Sequence, residues 1–178
     1  MQFLKIVGLG VLAAIGYGII HDQVTVRVCL EYFTIFHPRL ISSTSPTLLA
    51  LAWGVAATWW VGLPLGLGLA VAARAGTRPK VGAAAVAPSV LVLLGIMASC
   101  ALMAGLTGYL LARLNVTGFD FYGEFGDAVP FHRHPLCFAD LWAHNASYLS
   151  GIVGGIIVIV RTYRRRGRAL VPSGLTSA

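Results

Sequence analysis

The side chains best suited to chemistry lie in two short stretches of an otherwise apolar chain. They are His21, Asp22, Glu31 and His37 in the first stretch, and Asp140 and His144 in the second. Imidazole and carboxylate groups bind zinc and copper, and they also hold and transfer protons. Asp140 and His144 are four residues apart, so they share one face if their segment is helical. We expect these side chains to form one polar cluster.

Four histidines are candidate metal ligands in particular: His21, His132, His134 and His144. His132 and His134 are two residues apart, which would place both imidazoles on one side of an extended strand. No spacing of histidine and cysteine in the sequence matches a defined metal motif. Two interpretations therefore stand side by side. One is a site for a transition metal, zinc or copper, and the other is a hydrogen-bonded network that packs the loops.

The chain that positions these groups is too apolar to cover a water-exposed surface. Of its 178 residues, 57% are hydrophobic and 11% are charged, whereas soluble domains carry about 25% charged residues. Four segments are long enough to span a bilayer as helices, which takes about 17 to 25 residues. They are residues 3–20, 46–73, 88–112 and 138–160. The sequence predicts an all-α membrane protein, one domain over residues 1–178 with four transmembrane helices.

The basic residues predict how these helices are oriented. Most of them fall on one side of the membrane if all four segments span it: Lys5, Arg74, Arg78, Lys80, Arg161, Arg164, Arg165, Arg166 and Arg168. The positive-inside rule places that side, and therefore both termini, in the cytoplasm. Residues 161–178 then form a cytoplasmic tail that contacts anionic lipid, and nucleic acid is not an expected partner. No small-x-small cleavage site stands out before His21, so we expect the first helix to be retained as an anchor.

The opposite side receives two loops, residues 21–45 and 113–137, with all six acids and all five histidines on or near it. In the first loop Val24, Val26 and Val28 alternate with polar residues, which predicts an extended segment. About two helical turns should follow and end before Pro38. The second loop is rich in glycine, aromatic residues and acids, and we expect it to fold over the first. Both loops are therefore expected to be structured and extracytoplasmic.

The two cysteines on this outer side are Cys29 and Cys137. An oxidising compartment permits disulfides, so we expect Cys29 and Cys137 to form one. A thiolate paired with a neighbouring histidine is the alternative for Cys29.

Three strings in the sequence carry a resemblance: HDQVTVRVCLEYFT, SPTLLALAWGVAATWWVG and ADLWAHNASY. With them the chain resembles a family of small, uncharacterised bacterial inner-membrane proteins, over about residues 15 to 163. The resemblance implies four helices and a location in the bacterial inner membrane. It brings no catalytic roles with it.

Three hypotheses follow for the function. The leading one is a non-enzymatic accessory or structural subunit of a membrane complex, with other membrane subunits or further copies of itself as partners. Close helix contacts are available at Gly62-x-x-x-Gly66 and Gly151-x-x-x-Gly155. The second is a transition-metal or haem-binding redox accessory. The third is a membrane-embedded enzyme with an outer-facing site, for which no catalytic residue is assigned because the serines lie in no nucleophile-elbow pattern.

Overall fold

The computed structural model describes residues 1–116 and 124–168, and within those ranges the chain is helical without strands. Its elements are α1 (Gln2–Val28), α2 (Leu30–Thr34), α3 (Pro46–Ala56), α4 (Trp59–Arg74), α5 (Ala83–Arg113), α6 (Glu124–Asp127), a 3-10 turn (Phe131–Arg133) and α7 (His134–Arg168). Part of the second predicted loop and the end of the predicted tail lie outside the described residues.

Four helical stretches are long and apolar enough to cross a membrane by length and composition. They are Gln2–Val28, Pro46–Arg74, Ala83–Arg113 and Phe131–Arg168. The prediction of an all-α chain with four such helices is therefore confirmed. We call the end of the bundle that carries His21 and His144 the histidine end, and the end that carries Arg74 and Arg166 the arginine end.

The prediction of an extended segment after His21 is wrong, because α1 continues through Val28. Asp22, Thr25 and Val26 are buried while Val24 is 61% exposed. That spacing of i, i+3 and i+4 is helical, and the alternating valines are also compatible with it. The helix ends at Cys29, whose backbone is extended, and the short α2 follows before Pro38.

The second apolar segment is not one continuous helix, because α3 and α4 are separated at Ala57 and Thr58. The hydroxyl of Tyr148 on α7 donates a hydrogen bond of 3.1 Å to the carbonyl of Ala57 at this break. Pro64 lies inside α4 and does not coincide with the break. The last two long helices extend beyond their predicted bounds of residues 88–112 and 138–160. The helix α5 begins at Ala83, and α7 covers residues 134–168.

Small residues let the helices approach closely. α1 packs along α3 and α4, while α5 packs along α7. A β-carbon at Gly10 would lie 2.7 Å from the Cα atom of Gly66, and one at Gly62 would lie 2.9 Å from the carbonyl oxygen of Gly10. The pair Gly62 and Gly66 therefore allows α4 to lie against the backbone of α1.

Arg166 fixes the arginine end of the bundle. Its side chain is buried, and its guanidinium donates hydrogen bonds to four backbone carbonyls, those of Ala72, Ala75, Arg78 and Pro79. These include carbonyls of the last turn of α4 and of the segment that follows it, which have no partner within the helix. Arg166 thus caps α4 from α7.

Candidate metal centre at the histidine end

Three side chains from two helices converge at the histidine end. His21 and Asp22 come from the last turns of α1, and His144 comes from α7. One potential ligand atom from each lies within 4.8 Å of the other two. The Nε2 atom of His144 is 3.4 Å from Oδ1 of Asp22. The rings of His21 and His144 are nearly perpendicular, with centroids 4.6 Å apart.

The hydrogen bonds of His144 determine what its second nitrogen can do. Its Nδ1 atom lies 2.8 Å from the backbone carbonyl oxygen of Asp140. A carbonyl only accepts, so Nδ1 carries the hydrogen and Nε2 of the neutral ring is an acceptor. This acceptor faces the carboxylate of Asp22, and the separation of 3.4 Å exceeds the 2.7–2.9 Å of a charge-assisted hydrogen bond.

His21 adds another acceptor-capable nitrogen to the group. Its Nε2 atom is buried and has no hydrogen-bond partner among the described residues. Nε2 of His144 and the carboxylate of Asp22 therefore face each other as acceptors, and Nε2 of His21 is a third acceptor when the hydrogen of its neutral ring lies on Nδ1. A cation at this point would satisfy all three groups at once.

Aromatic rings enclose the three residues and hold their orientation. Tyr32 stacks on His144 with ring centroids 4.7 Å apart, and Tyr17 stacks on His21 at 5.7 Å. His37 lies beside Tyr32, where its Nδ1 atom is 2.8 Å from the backbone carbonyl of Tyr32. Trp53 meets the ring of His37 edge to face. The shell limits the access of water to the group.

A cavity of about 160 Å³ adjoins the three residues and continues into the bundle. His37, Trp53 and Tyr148 also line it. A single water needs about 10–15 Å³ of such volume. The site therefore has room for water or a small ligand in addition to a metal ion.

Glu31 does not join this group, which corrects the expected cluster. Its carboxylate accepts hydrogen bonds of 3.0 and 2.8 Å from the guanidinium of Arg133. The hydrogen bond from Arg133 lowers the pKa of Glu31, although partial burial opposes the shift. The pair links α2 to the 3-10 turn. The guanidinium of Arg133 offers two donors to Glu31, whereas the three-residue group consists mainly of acceptors, so Glu31 pairs with Arg133.

Asp140 lies at the same end but plays a different part from His144. Its side chain is 1% exposed, and its Oδ2 atom has no hydrogen-bond partner among the described residues. Its contribution to the three-residue group is the backbone carbonyl that orients His144.

The sulfur atoms of Cys29 and Cys137 are buried and 2.7 Å apart. The hydrogen bond to Cys137 raises the pKa of Cys29, and burial raises it further. The structure thus brings together the pair expected to form a disulfide, and the bond itself stays a prediction.

His132 and His134 do not reach the three-residue group. His132 is exposed, whereas His134 is buried with Nε2 3.1 Å from the carbonyl of Val129 and 3.3 Å from that of Gly126. Their expected alignment required an extended strand. The chain instead forms a 3-10 turn at residues 131–133 and begins α7 at His134, so the two side chains diverge.

No known protein family, curated protein or solved structure matches this chain. The resemblance to small bacterial inner-membrane proteins therefore stays a prediction, and the argument for the site rests on its geometry.

Sequence reasoning missed the supporting residues Tyr17 and Ser147. The hydroxyl groups of Tyr17 and Ser147 are 2.8 Å apart and join α1 to α7 one turn below the histidines. Their spacing could have predicted them, because Tyr17 precedes His21 by four residues and Ser147 follows His144 by three. Such spacings place each pair on one helix face.

Proposed function

We propose that this chain is a multi-pass protein of the bacterial inner membrane that binds a transition-metal ion, zinc or copper, through His21, Asp22 and His144. The observation that carries the proposal is the convergence of one potential ligand atom from each of these residues within 4.8 Å, with Nε2 of His144 and the carboxylate of Asp22 facing each other as acceptors. In the proposed orientation both termini are cytoplasmic. The metal then lies at the outer end of the bundle.

The surroundings of the three residues support a metal rather than a simple ion pair. Metal-binding histidines characteristically donate their other ring N–H to a carbonyl or carboxylate, as His144 does to Asp140. Two imidazoles and one carboxylate leave coordination positions open. His37 borders the same cavity and offers a further nitrogen, because only its Nδ1 atom is engaged by Tyr32.

Within the cell we propose that the protein acts as a non-enzymatic accessory subunit whose metal serves a larger membrane complex. No serine in the sequence lies in a nucleophile-elbow pattern, so no catalytic nucleophile is assigned. A companion protein that co-purifies in a fixed ratio would support the role. A purified chain that turns over a substrate alone would contradict it.

Metal content tests the binding proposal directly. Protein purified in mild detergent is loaded with Zn²⁺ or Cu²⁺, freed of excess metal and measured by elemental analysis. We expect one metal per chain in the wild type and less than a tenth of that in His21→Ala and His144→Ala. His132→Ala removes an exposed imidazole outside the group and should keep the full metal content.

Thermal unfolding of each apo variant distinguishes loss of the site from loss of the fold. Variants that unfold cooperatively near the wild-type temperature and bind no metal support the proposal. Equal metal content in the wild type, His21→Ala and His144→Ala would overturn it, as would a wild type that takes up no metal.

A further inference from the structure

A second concave site lies toward the arginine end of the bundle. It is a groove of about 670 Å³ between α5 and α7. Its walls are mainly apolar and include Val92, Leu93, Ile96, Val153 and Ile157. Volumes of this size are typical of ligand sites.

Two arginines stand at the polar mouth of this groove. Arg161 and Arg165 both line it, and they lie one helical turn apart on the same face of α7. Both are exposed, and among the described residues neither has a hydrogen-bond or ion-pair partner. The buried acids Asp22 and Asp140 lie at the opposite end of the bundle. The two positive charges therefore lack a counter-charge within the described protein.

The neighbouring arginines behave differently. Arg166 is buried and its guanidinium is occupied by backbone carbonyls. Arg78 lies 3.9 Å over the ring of Tyr163 and donates to the carbonyl of that residue. Arg161 and Arg165 can therefore bind a ligand, whereas Arg166 and Arg78 already have partners within the protein.

The part of the groove below the arginine mouth matches one leaflet of a bilayer in length. On α7 this part of the lining runs from Arg161 back to Ser150, which at 1.5 Å per residue is about 16 Å, and Thr162, Arg165 and Arg166 line the mouth beyond it. On α5 the lining extends from Ala85 to Ile96, again about 16 Å. Half of a hydrocarbon core of about 30 Å is about 15 Å, so one acyl chain fits along the groove.

We infer that this groove binds one anionic phospholipid. The phosphate lies between the guanidinium groups of Arg161 and Arg165, and one acyl chain lies along the wall of Leu93, Ile96 and Ile157. Arginine recognises phosphate through paired N–H donors. A phospholipid supplies both the negative charge and the apolar chain, whereas free phosphate would leave the groove empty. The inference is independent of the metal site.

The headgroup contact is tested by lipid retention. Wild-type protein in mixed micelles is offered phosphatidylglycerol and phosphatidylcholine, and retained lipid is counted by native mass spectrometry. We expect the wild type to retain one phosphatidylglycerol in preference to phosphatidylcholine. Arg165→Gln should weaken that retention about tenfold, while its sequence neighbour Arg164→Gln should leave it unchanged. Arg164 is exposed like Arg165, and Arg164→Gln removes the same charge, but Arg164 does not line the groove.

The acyl-chain contact has its own matched pair. Ala85 lines the groove and Ala84 does not, although both are exposed. Ala85→Leu should reduce retention of phosphatidylglycerol at least fivefold, and Ala84→Leu should not. Inorganic phosphate at millimolar concentration should fail to displace the lipid.

Equal effects of Arg164→Gln and Arg165→Gln would show only diffuse attraction to the positive tail and would overturn the inference. Equal effects of the two leucine substitutions, or displacement of the lipid by inorganic phosphate, would overturn it as well.

Discussion

The two ring nitrogens of His144 face different partners, and only one of the two contacts is a hydrogen bond in the neutral, metal-free state. The bond from Nδ1 to the carbonyl of Asp140 is satisfied in any state of the site. The opposing pair formed by Nε2 and the carboxylate of Asp22 is satisfied only when a proton or a cation lies between them. A single atom replacement in Asp22 can therefore separate folding from metal binding.

We predict that Asp22→Asn stabilises the metal-free protein and weakens its metal binding. The amide nitrogen can donate to Nε2 of His144, which replaces two facing acceptors with a hydrogen bond worth about 1 kcal/mol. The same change removes an anionic ligand, so metal affinity should fall by a factor of at least about 100. Thermal unfolding of the apo protein and titration with Zn²⁺ or Cu²⁺ measure the two effects. Unchanged affinity would exclude Asp22 as a ligand.

The thiols of Cys29 and Cys137 make a second prediction at this scale. In protein from an oxidising compartment we expect them to form a disulfide, because their sulfur atoms are already in contact. Non-reducing mass spectrometry should show a mass lower by two hydrogen atoms and a single thiol that can be alkylated, that of Cys100. Cys100→Ser should leave the bond intact, whereas Cys29→Ser should abolish it. Alkylation of all three cysteines without reductant would refute the prediction.

At the scale of elements, the apolar runs predicted where the long helices lie, because lipid leaves no alternative partner for backbone groups. The same runs did not predict where helices break or end. The alternating valines of residues 24–28 suit a strand and a helix alike, and burial of Asp22 and Thr25 against the bundle decides for the helix. At the break, the carbonyl of Ala57 accepts a hydrogen bond from Tyr148, which is 91 residues away in the chain.

The sequence likewise predicted part of the candidate site and not the rest. Topology places the end of the first segment and the start of the fourth on one side, so the proximity of His21 and His144 follows from the sequence. Which way Glu31 turns does not follow, because Arg133 approaches it only when the second loop has folded. The contact links α2 to the 3-10 turn that precedes α7.

This contact gives a prediction of pH dependence. Because Arg133 lowers the pKa of Glu31 in the folded protein, the pair stabilises the fold above the ordinary glutamate pKa of about 4.3, and this stabilisation is lost as pH falls through the lowered value. Glu31→Gln should lower stability at neutral pH by about 1 kcal/mol or less, because both side chains are partly exposed. The difference in melting temperature between wild type and variant should shrink on acidification. A difference that is constant with pH would show that the ion pair contributes nothing.

For the whole molecule, a group of arginines and the buried acids of the histidine end lie at opposite ends of the bundle axis. Arg74, Arg78 and Arg166 gather at one end, while His21 and Asp22 lie at the other. The proposed orientation follows from this asymmetry, since basic residues are retained in the cytoplasm.

Reporter fusions test that orientation. A reporter that is active only in the cytoplasm should be active when fused to the C-terminus. The same reporter inserted after Ala128, an exposed residue at the histidine end, should be silent there. The reverse pattern would place the candidate metal site on the cytoplasmic side and would overturn the proposed location, but not the coordination itself.

The cap that Arg166 places on α4 also constrains the order in which the protein can be completed during synthesis. Its carbonyl partners at Ala72 and Pro79 are translated 94 and 87 residues earlier. At about 5–20 residues per second the ribosome needs on the order of 5 to 20 seconds to cover that distance. Throughout that interval the end of α4 must rely on water, lipid headgroups or an insertion factor for its hydrogen bonds. A chain that terminates before Arg166 never leaves that provisional state, so its early helices would be exposed to quality-control proteases even though every apolar segment had been made.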